Sequence, residues 1–202
     1  MKEHGSKRSP EQNSGWDATP QDALNDAWTR LRRAVVDGRH PFRHPVVATR
    51  CERRGISART VVLRGASQED GVLVLHSDLR AEKVAALRTD PTVSWCFYDP
   101  RKRLQLRAES VATLHHRDPL AELEWERQSD AARRLYGVAP APGTELGEGS
   151  GPSFDAQRGF ASFVVVRCTL TELDWLQLGR SGHRRIRSVR RGSDWDAAPI
   201  VP

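Results

Sequence analysis

Five runs rich in β-branched and aromatic residues dominate the first half of the chain. They are 46–51 (VVATRC), 58–66 (ARTVVLRGA), 72–77 (VLVLHS), 92–98 (TVSWCFY) and 104–114 (LQLRAESVATL). The turns between them are short: RRG, QEDG and DPRKR. A parallel pair needs a crossover of about a dozen residues or more, so these runs must pair as antiparallel hairpins. That constraint predicts a mainly β fold with flanking helices, built as a closed or nearly closed antiparallel barrel. No GxGxxG, Walker loop or HExxH occurs, which removes support for Rossmann dinucleotide folds, P-loop enzymes and zincins.

Helices are expected at four-residue rhythm around this sheet. Thr19–Pro20 supplies a cap and a first-turn proline, and Leu24, Ala27, Trp28, Leu31, Ala34 and Val35 form one apolar stripe ending at Gly38. A short helix over 81–89 buries Val84 and Leu87 and stops at Asp90–Pro91. A long helix is expected from Asp118 to Leu135. A Pro/Gly/Ser-rich loop over 137–159 follows and reads as a lid or insertion. Residues 160–179 and the basic RRIRSVRR are the last strands, with coil from Asp194. Residues 1–19 read as a disordered tail without the apolar core of a signal peptide, leaving one domain over 20–202.

Charge and cysteines bound the function classes. The net charge is +6, yet 26 acidic residues are interspersed among 32 basic ones, so a mixed solvated surface fits better than a nucleic-acid face. No 18-residue apolar run exists, so no membrane span is expected. Cys51, Cys96 and Cys168 stand singly, which suits reduced thiols and a cytoplasmic location. His40 and His44 sit in a proline-broken loop with no fixed geometry, and no metal is expected.

The stretch from Ala58 to Lys83 carries the chemistry. Arg59, Arg64 and Lys83, with small hydroxyls beside them, could cradle a phosphorylated planar ligand, because guanidinium forks match phosphate oxygens. Arg59 and Arg64 are five apart, so a regular strand would point them to opposite faces. One would then hold the phosphate and the other a different part of the ligand. An ordinary hairpin with solvated arginines explains the same residues, and residue chemistry leaves both readings open.

Four blocks in order resemble the pyridoxamine 5′-phosphate oxidase family, the FMN-binding split barrels. Arg59-Thr60-Val61-Val62-Leu63-Arg64 is similar to its R-x-V-L-L-K strand. His76-Ser77-Asp78 with Lys83 is similar to its aromatic–Thr–Asn…Lys block. Leu104-Gln105-Leu106 stands for its R-Q-V strand, and Trp175 with Ser181 to Arg185 for its W…R-L-H-D-R block. The segment SDAARRLYG…APAPGT is similar to a branch of pyridoxamine 5′-phosphate oxidase-related FMN-binding domains.

The resemblance implies a homodimer with FMN between the subunits. Arg59 and Lys83 would hold the FMN phosphate, and the backbone of Thr60, Val61, Val62 and Leu63 would follow the ribityl chain. Arg64 would lie near the pyrimidine edge of the flavin and the substrate. His76, Ser77 and Gln105 would touch the cofactor, with Trp175 and Arg185 arriving from the partner. His183 falls at a substrate-side histidine, with a catalytic role beside Arg64. Arg127 alone matches the substrate-phosphate positions by offset.

Departures fall mostly on the substrate side: Glu82 and Ser181 replace arginines, and Leu123 and Ala131 replace a tyrosine and a serine. The implied activity is FMN-dependent hydride transfer from a small substrate, an amine or alcohol that is phosphorylated or not. The alternative is a non-catalytic flavin- or haem-binding split barrel acting as carrier or sensor.

Overall fold

Antiparallel pairing does organise the chain. The computed structural model describes residues 19–52, 55–149, 151–155, 158–180 and 182–202. The tail expected over 1–19 lies outside the described residues up to position 18, as do Arg53 and Arg54 of the first turn and Ser181. The chain opens with α1 (Pro20–Val36) and a 3₁₀ turn (Pro41–Arg43). It continues through β1 (Val46–Cys51), β2 (Gly55–Thr60), β3 (Gly65–Ser67), β4 (Val72–Asp78), α2 (Glu82–Thr89), β5 (Thr92–Asp99) and β6 (Leu104–His115). Next come α3 (Pro119–Glu126), α4 (Asp130–Arg134), β7 (Val138–Ala139), β8 (Ser153–Phe154) and α5 (Arg158–Ser162). The last three strands are β9 (Phe163–Gly179), β10 (Gly182–Arg191) and β11 (Asp194–Ile200).

The main sheet has the order β11-β10-β9-β6-β5-β1-β2, with β4 also on β9 and β3 on β4. β9 is shared along its length: residues 163–169 pair with β4 and 172–179 with β10, while β6 runs beside both halves. β2 and β3 are neighbours in sequence yet stand at opposite ends of the path β2-β1-β5-β6-β9-β4-β3. The fold is therefore a barrel split between these two strands.

The run 58–66, expected as one strand, is the bridge across that split. Val61 N donates to Pro45 O and Leu63 N to Arg43 O, while Arg64 N donates to Val74 O on the far edge. Residues 61–64 thus leave one hairpin and enter another. The strand-alternation argument for Arg59 and Arg64 does not apply, because no regular strand joins them.

α1 forms for the reasons its sequence gives. Thr19 Oγ1 accepts from Asp22 N, and Thr19 N donates to the Asp22 carboxylate, a reciprocal capping box. Its stripe is fully buried, from Leu24 through Trp28 and Leu31 to Ala34, within the main core. Two polar ties fix its rotation: Asp26 accepts from Trp175 Nε1 at 3.1 Å, and Arg30, itself held by Asp26 at 2.8 Å, reaches Asp99 at 3.4 Å. Removing the Trp28 ring from this core would destabilise the fold by about 3–5 kcal/mol.

Three further expectations change. The helix expected over 118–135 breaks at Arg127–Ser129. Ser129 caps α4, and the Arg133 guanidinium takes the Trp125 and Glu126 carbonyls at the end of α3. The 137–159 loop contains the β7–β8 pair and the start of α5. The coil expected from Asp194 is instead β11, in register with β10 from Arg185↔Ile200 to Arg191↔Asp194. Pro199 is tolerated there because β11 is an edge strand, and Trp195 packs edge-on against Trp28 at 6.0 Å. No helix among the described residues is long and apolar enough to cross a membrane.

Candidate functional site

Two cations meet where α2 covers the β1–β2 hairpin. Arg59 pairs with Val47 across β2–β1, and its Nη1 donates to Thr49 Oγ1 at 2.8 Å. Burial holds its pKa below the usual guanidinium value, partly offset by Glu82 and Cys51. Lys83 lies in the first turn of α2, whose Ala81 N-cap offers no side-chain cap. Its ammonium is pushed down by burial first and by Arg59 second, with Asp78 partly opposing. Among the described residues neither side chain forms an ion pair. Two half-buried like charges that Glu82 and Asp78 offset only in part, with no ion pair among the described residues, form a site that favours an anion. Glu82, where the family keeps an arginine, accepts from the Cys51 thiol at 3.5 Å.

The bridge offers less than the resemblance implies. Val61 and Leu63 have already given their N–H groups to Pro45 and Arg43, so of Val61, Val62 and Leu63 only Val62 lacks a main-chain acceptor among the described residues. Leu63 is fully buried and Thr60 exposed. Arg43 holds the bridge in place: its Nη1 donates to Ala34 O, Val35 O and Leu63 O at 3.2, 2.6 and 2.9 Å.

Arg64 sits beside a buried polar group that sequence reasoning did not assemble. Its charge bears on His76, Tyr136 and Arg43. His76 Nδ1 is 3.3 Å from Gln128 Nε2, its ring stands edge-on to Phe163 at 4.9 Å, and Nε2 lies 3.4 Å from Glu124 Oε2 without hydrogen-bond geometry. Burial first, then Arg64, pushes the imidazole down to about 3. It is therefore neutral near pH 7, and the 3.4 Å approach to Glu124 is not an ion pair. Burial raises the Tyr136 hydroxyl, with Arg64 opposing and Asp78 reinforcing.

His76 carries a pH signature. Its folded pKa lies below the ordinary imidazole value, so between about pH 3 and 6.5 the unfolded chain binds more protons. Stability from this residue is complete above pH 6.5 and falls as pH drops, by up to about 1.4 kcal/mol per unit. His76→Phe should flatten the fall in denaturant midpoint between pH 7 and pH 5; an unchanged slope would contradict this.

The remaining predicted residues do not all converge. The His76 side chain is 2% exposed and faces α3, so it braces that helix rather than reaching a cofactor. Ser77 is buried on the opposite face of β4, its hydroxyl 3.3 Å from Asp78 O. The registers Gln105↔Leu176↔Arg185 and Leu106↔Trp175↔Ile186 place Gln105 and Arg185 on one face of the sheet and Trp175 on the other. Trp175 is 3% exposed in the core with its N–H on Asp26, which corrects its assignment as a residue offered to a partner subunit. Arg185 is clamped on Asp174 at 2.6 and 2.9 Å. Arg127, expected at a substrate-phosphate position, is 63% exposed and paired to Glu124 Oε1 at 2.8 Å. His183 is exposed opposite Leu178 at the start of β10, with no bonded partner among the described residues.

Glu124, Gln128, Tyr136 and Arg43 escaped sequence reasoning. Glu124 and Gln128 show helical i,i+4 spacing, yet nothing local says that α3 lies over His76. Arg43 sat in a loop with no periodic signal.

Residues 25–116 match the family model "Pyridoxamine 5′-phosphate oxidase, FMN-binding domain". A pyridoxamine 5′-phosphate oxidase-related, FMN binding protein from Nostoc punctiforme PCC 73102 superposes with a TM-score of 0.73 at 25% identity, covering 93% of this chain and 100% of its own. PhzG from Burkholderia lata 383, in complex with tetrahydrophenazine-1-carboxylic acid, superposes with a TM-score of 0.69 at 18% identity, covering 97% and 98%. No curated protein matches the sequence.

Proposed function

From a chain that matches the pyridoxamine 5′-phosphate oxidase FMN-binding domain over residues 25–116 and has the fold of its pyridoxamine 5′-phosphate oxidase-like neighbours, we propose an FMN-dependent oxidoreductase. The observation that carries it is the Arg59–Lys83 pair, two half-buried cations without an ion-pair partner among the described residues. A phosphate dianion is the natural counter-charge for them.

Bound FMN supplies two-electron redox chemistry, and the protein supplies binding, orientation and electrostatics. Arg59 and Lys83 hold the phosphate. Arg64, on the bridge braced by Arg43, places a fixed cation where negative charge on the ring system would be stabilised. We place the active unit in a homodimer, with the sheet face of exposed Tyr98 and half-buried Gln105 and Leu176 as the contact surface. Arg185 and His183 would act from the partner, His183 orienting the substrate or accepting a proton. The substrate is a small amine or alcohol giving up hydride. Arg127 is already tied to Glu124, and Leu123 and Ala131 bring no hydrogen-bonding groups, so a phosphate on that substrate would find little support.

Those substrate-side departures also favour a second reading, a flavin-binding carrier or sensor without turnover. Anaerobic mixing of the flavin-loaded protein with pyridoxamine phosphate and a panel of small amines and alcohols separates the two. Bleaching of the flavin band by at least one compound, with recovery on admitting oxygen, is the expected result. No bleaching across the panel would overturn catalysis in favour of the carrier.

A further inference from the structure

We propose that the cleft between α4 and the β7–β8 pair is a binding site for a planar aromatic monocarboxylate. It is an open cavity of about 410 Å³ lined by Trp125, Asp130, Arg133, Arg134 and Phe154. That volume falls in the range of small-ligand pockets, about 300–1,000 Å³. Neither Arg59 nor Lys83 lines it, and the inference does not rest on the flavin reading. The cleft is marked by a repeated pairing, in which each aromatic ring of its wall carries a guanidinium. Arg133 lies over Trp125 at 5.5 Å and Arg134 over Phe154 at 5.0 Å.

Both rings are seated on glycine. A Cβ at Gly137 would stand 2.8 Å from the Phe154 ring and press on Asp155 O, and one at Gly159 would stand 2.9 Å from the Trp125 ring. Tyr136, Phe160 and Phe163 hold Trp125 from behind. The walls are therefore fixed by packing. The two arginines differ in what they can still bind. Arg133 is engaged: Nε and Nη2 donate to the Trp125 and Glu126 carbonyls, and Nη1 lies 3.8 Å from the Asp130 carboxylate. The Arg134 guanidinium has no hydrogen bond or ion pair among the described residues, so its N–H fork is open to a carboxylate. One uncommitted cation matches one negative charge, and Asp130 at the rim repels a second. A monocarboxylate thus fits better than a phosphate dianion. Phe154, 45% exposed, and Trp125 supply the apolar contact for an aromatic ring.

The test is a ligand-observed NMR titration of the full chain with 2-naphthoate, and with 2-naphthylmethanol as its uncharged counterpart. 2-Naphthoate is expected to bind with a Kd of about 0.1–1 mM, and the alcohol about tenfold more weakly. Arg134→Met should weaken 2-naphthoate about tenfold and leave the alcohol unchanged. Phe154→Ser changes an exposed residue of a two-residue strand and should weaken both probes, so the inference does not hang on one variant folding. The Arg59→Met, Lys83→Met double variant should bind 2-naphthoate as the wild type does, whatever becomes of its flavin. Absence of saturable binding up to about 5 mM would overturn the inference. So would equal affinity for acid and alcohol, unchanged 2-naphthoate binding in Arg134→Met, or its loss in the double variant, which would move the probe to the phosphate cradle.

Discussion

Lys83→Met is expected to weaken flavin binding by about 10- to 100-fold while leaving the flavin-free protein as stable as before, or more stable by about 1 kcal/mol. The two halves of that result come from one cause. Lys83 is driven down by burial and by Arg59, so in the flavin-free state its charge is a liability. Methionine keeps the apolar stem and removes the repulsion. With phosphate present the same charge becomes an attractive partner, and removing a charged partner from a phosphate costs about 1.5–3 kcal/mol. Arg59→Met should show the same loss of flavin but a smaller gain in stability, because Arg59 also binds Thr49 Oγ1. A purely structural lysine would behave in the opposite way, with stability lost and flavin binding unmoved. Flavin titration together with urea denaturation distinguishes the two, and a destabilised Lys83→Met that retains full affinity would remove the cradle from the account.

Arg43→Met should lower stability by about 3 kcal/mol, a fall in Tm of roughly 6–12 °C in a protein of this size. Three carbonyls gather on its Nη1, two from the end of α1 and one from Leu63. Without the guanidinium, the last turn of α1 and the bridge lose their common donor, and the desolvated carbonyls are left unsatisfied. Because the bridge carries Arg64, flavin affinity should fall as well, in contrast to a core variant far from the bridge. Lysine at this position should rescue little, since a point charge does not reproduce the fork. Thermal melts of Arg43→Met and Arg43→Lys would show it; a Tm within 2 °C of wild type would contradict the bracing role.

The strands and the first two helices were legible because their signals are local. Alternation in TVSWCFY, short turns, and the Thr19–Pro20 cap each act within a few residues. Antiparallel pairing followed from connection length alone. The resemblance implied a split barrel, but the place of the split was not legible: VVLR has the composition of a strand, and only the acceptors at Arg43, Pro45 and Val74 show that it crosses between sheets. The break between α3 and α4 was hidden for a similar reason, since the arginine that ends α3 belongs to the next helix. β11 lay in a segment with too little apolar alternation to stand out, and it is held by its pairing with β10.

At the site, Arg59 and Lys83 were named from the sequence and the fold brings them together. Trp175 was misplaced because motif spacing does not reveal which face of β9 looks inward; its pairing with Leu106 and Ile186 decides that. The group around Arg64 joins residues from the bridge, β4, α3 and the turn just after α4, a juxtaposition that no window of sequence contains.

The most direct measurement is the visible absorption spectrum of the purified protein, taken as isolated and again after addition of FMN and desalting. The Arg59–Lys83 cradle predicts flavin bands that survive desalting and disappear in the Arg59→Met, Lys83→Met double variant. A protein that stays colourless after FMN and desalting would contradict the account at its centre.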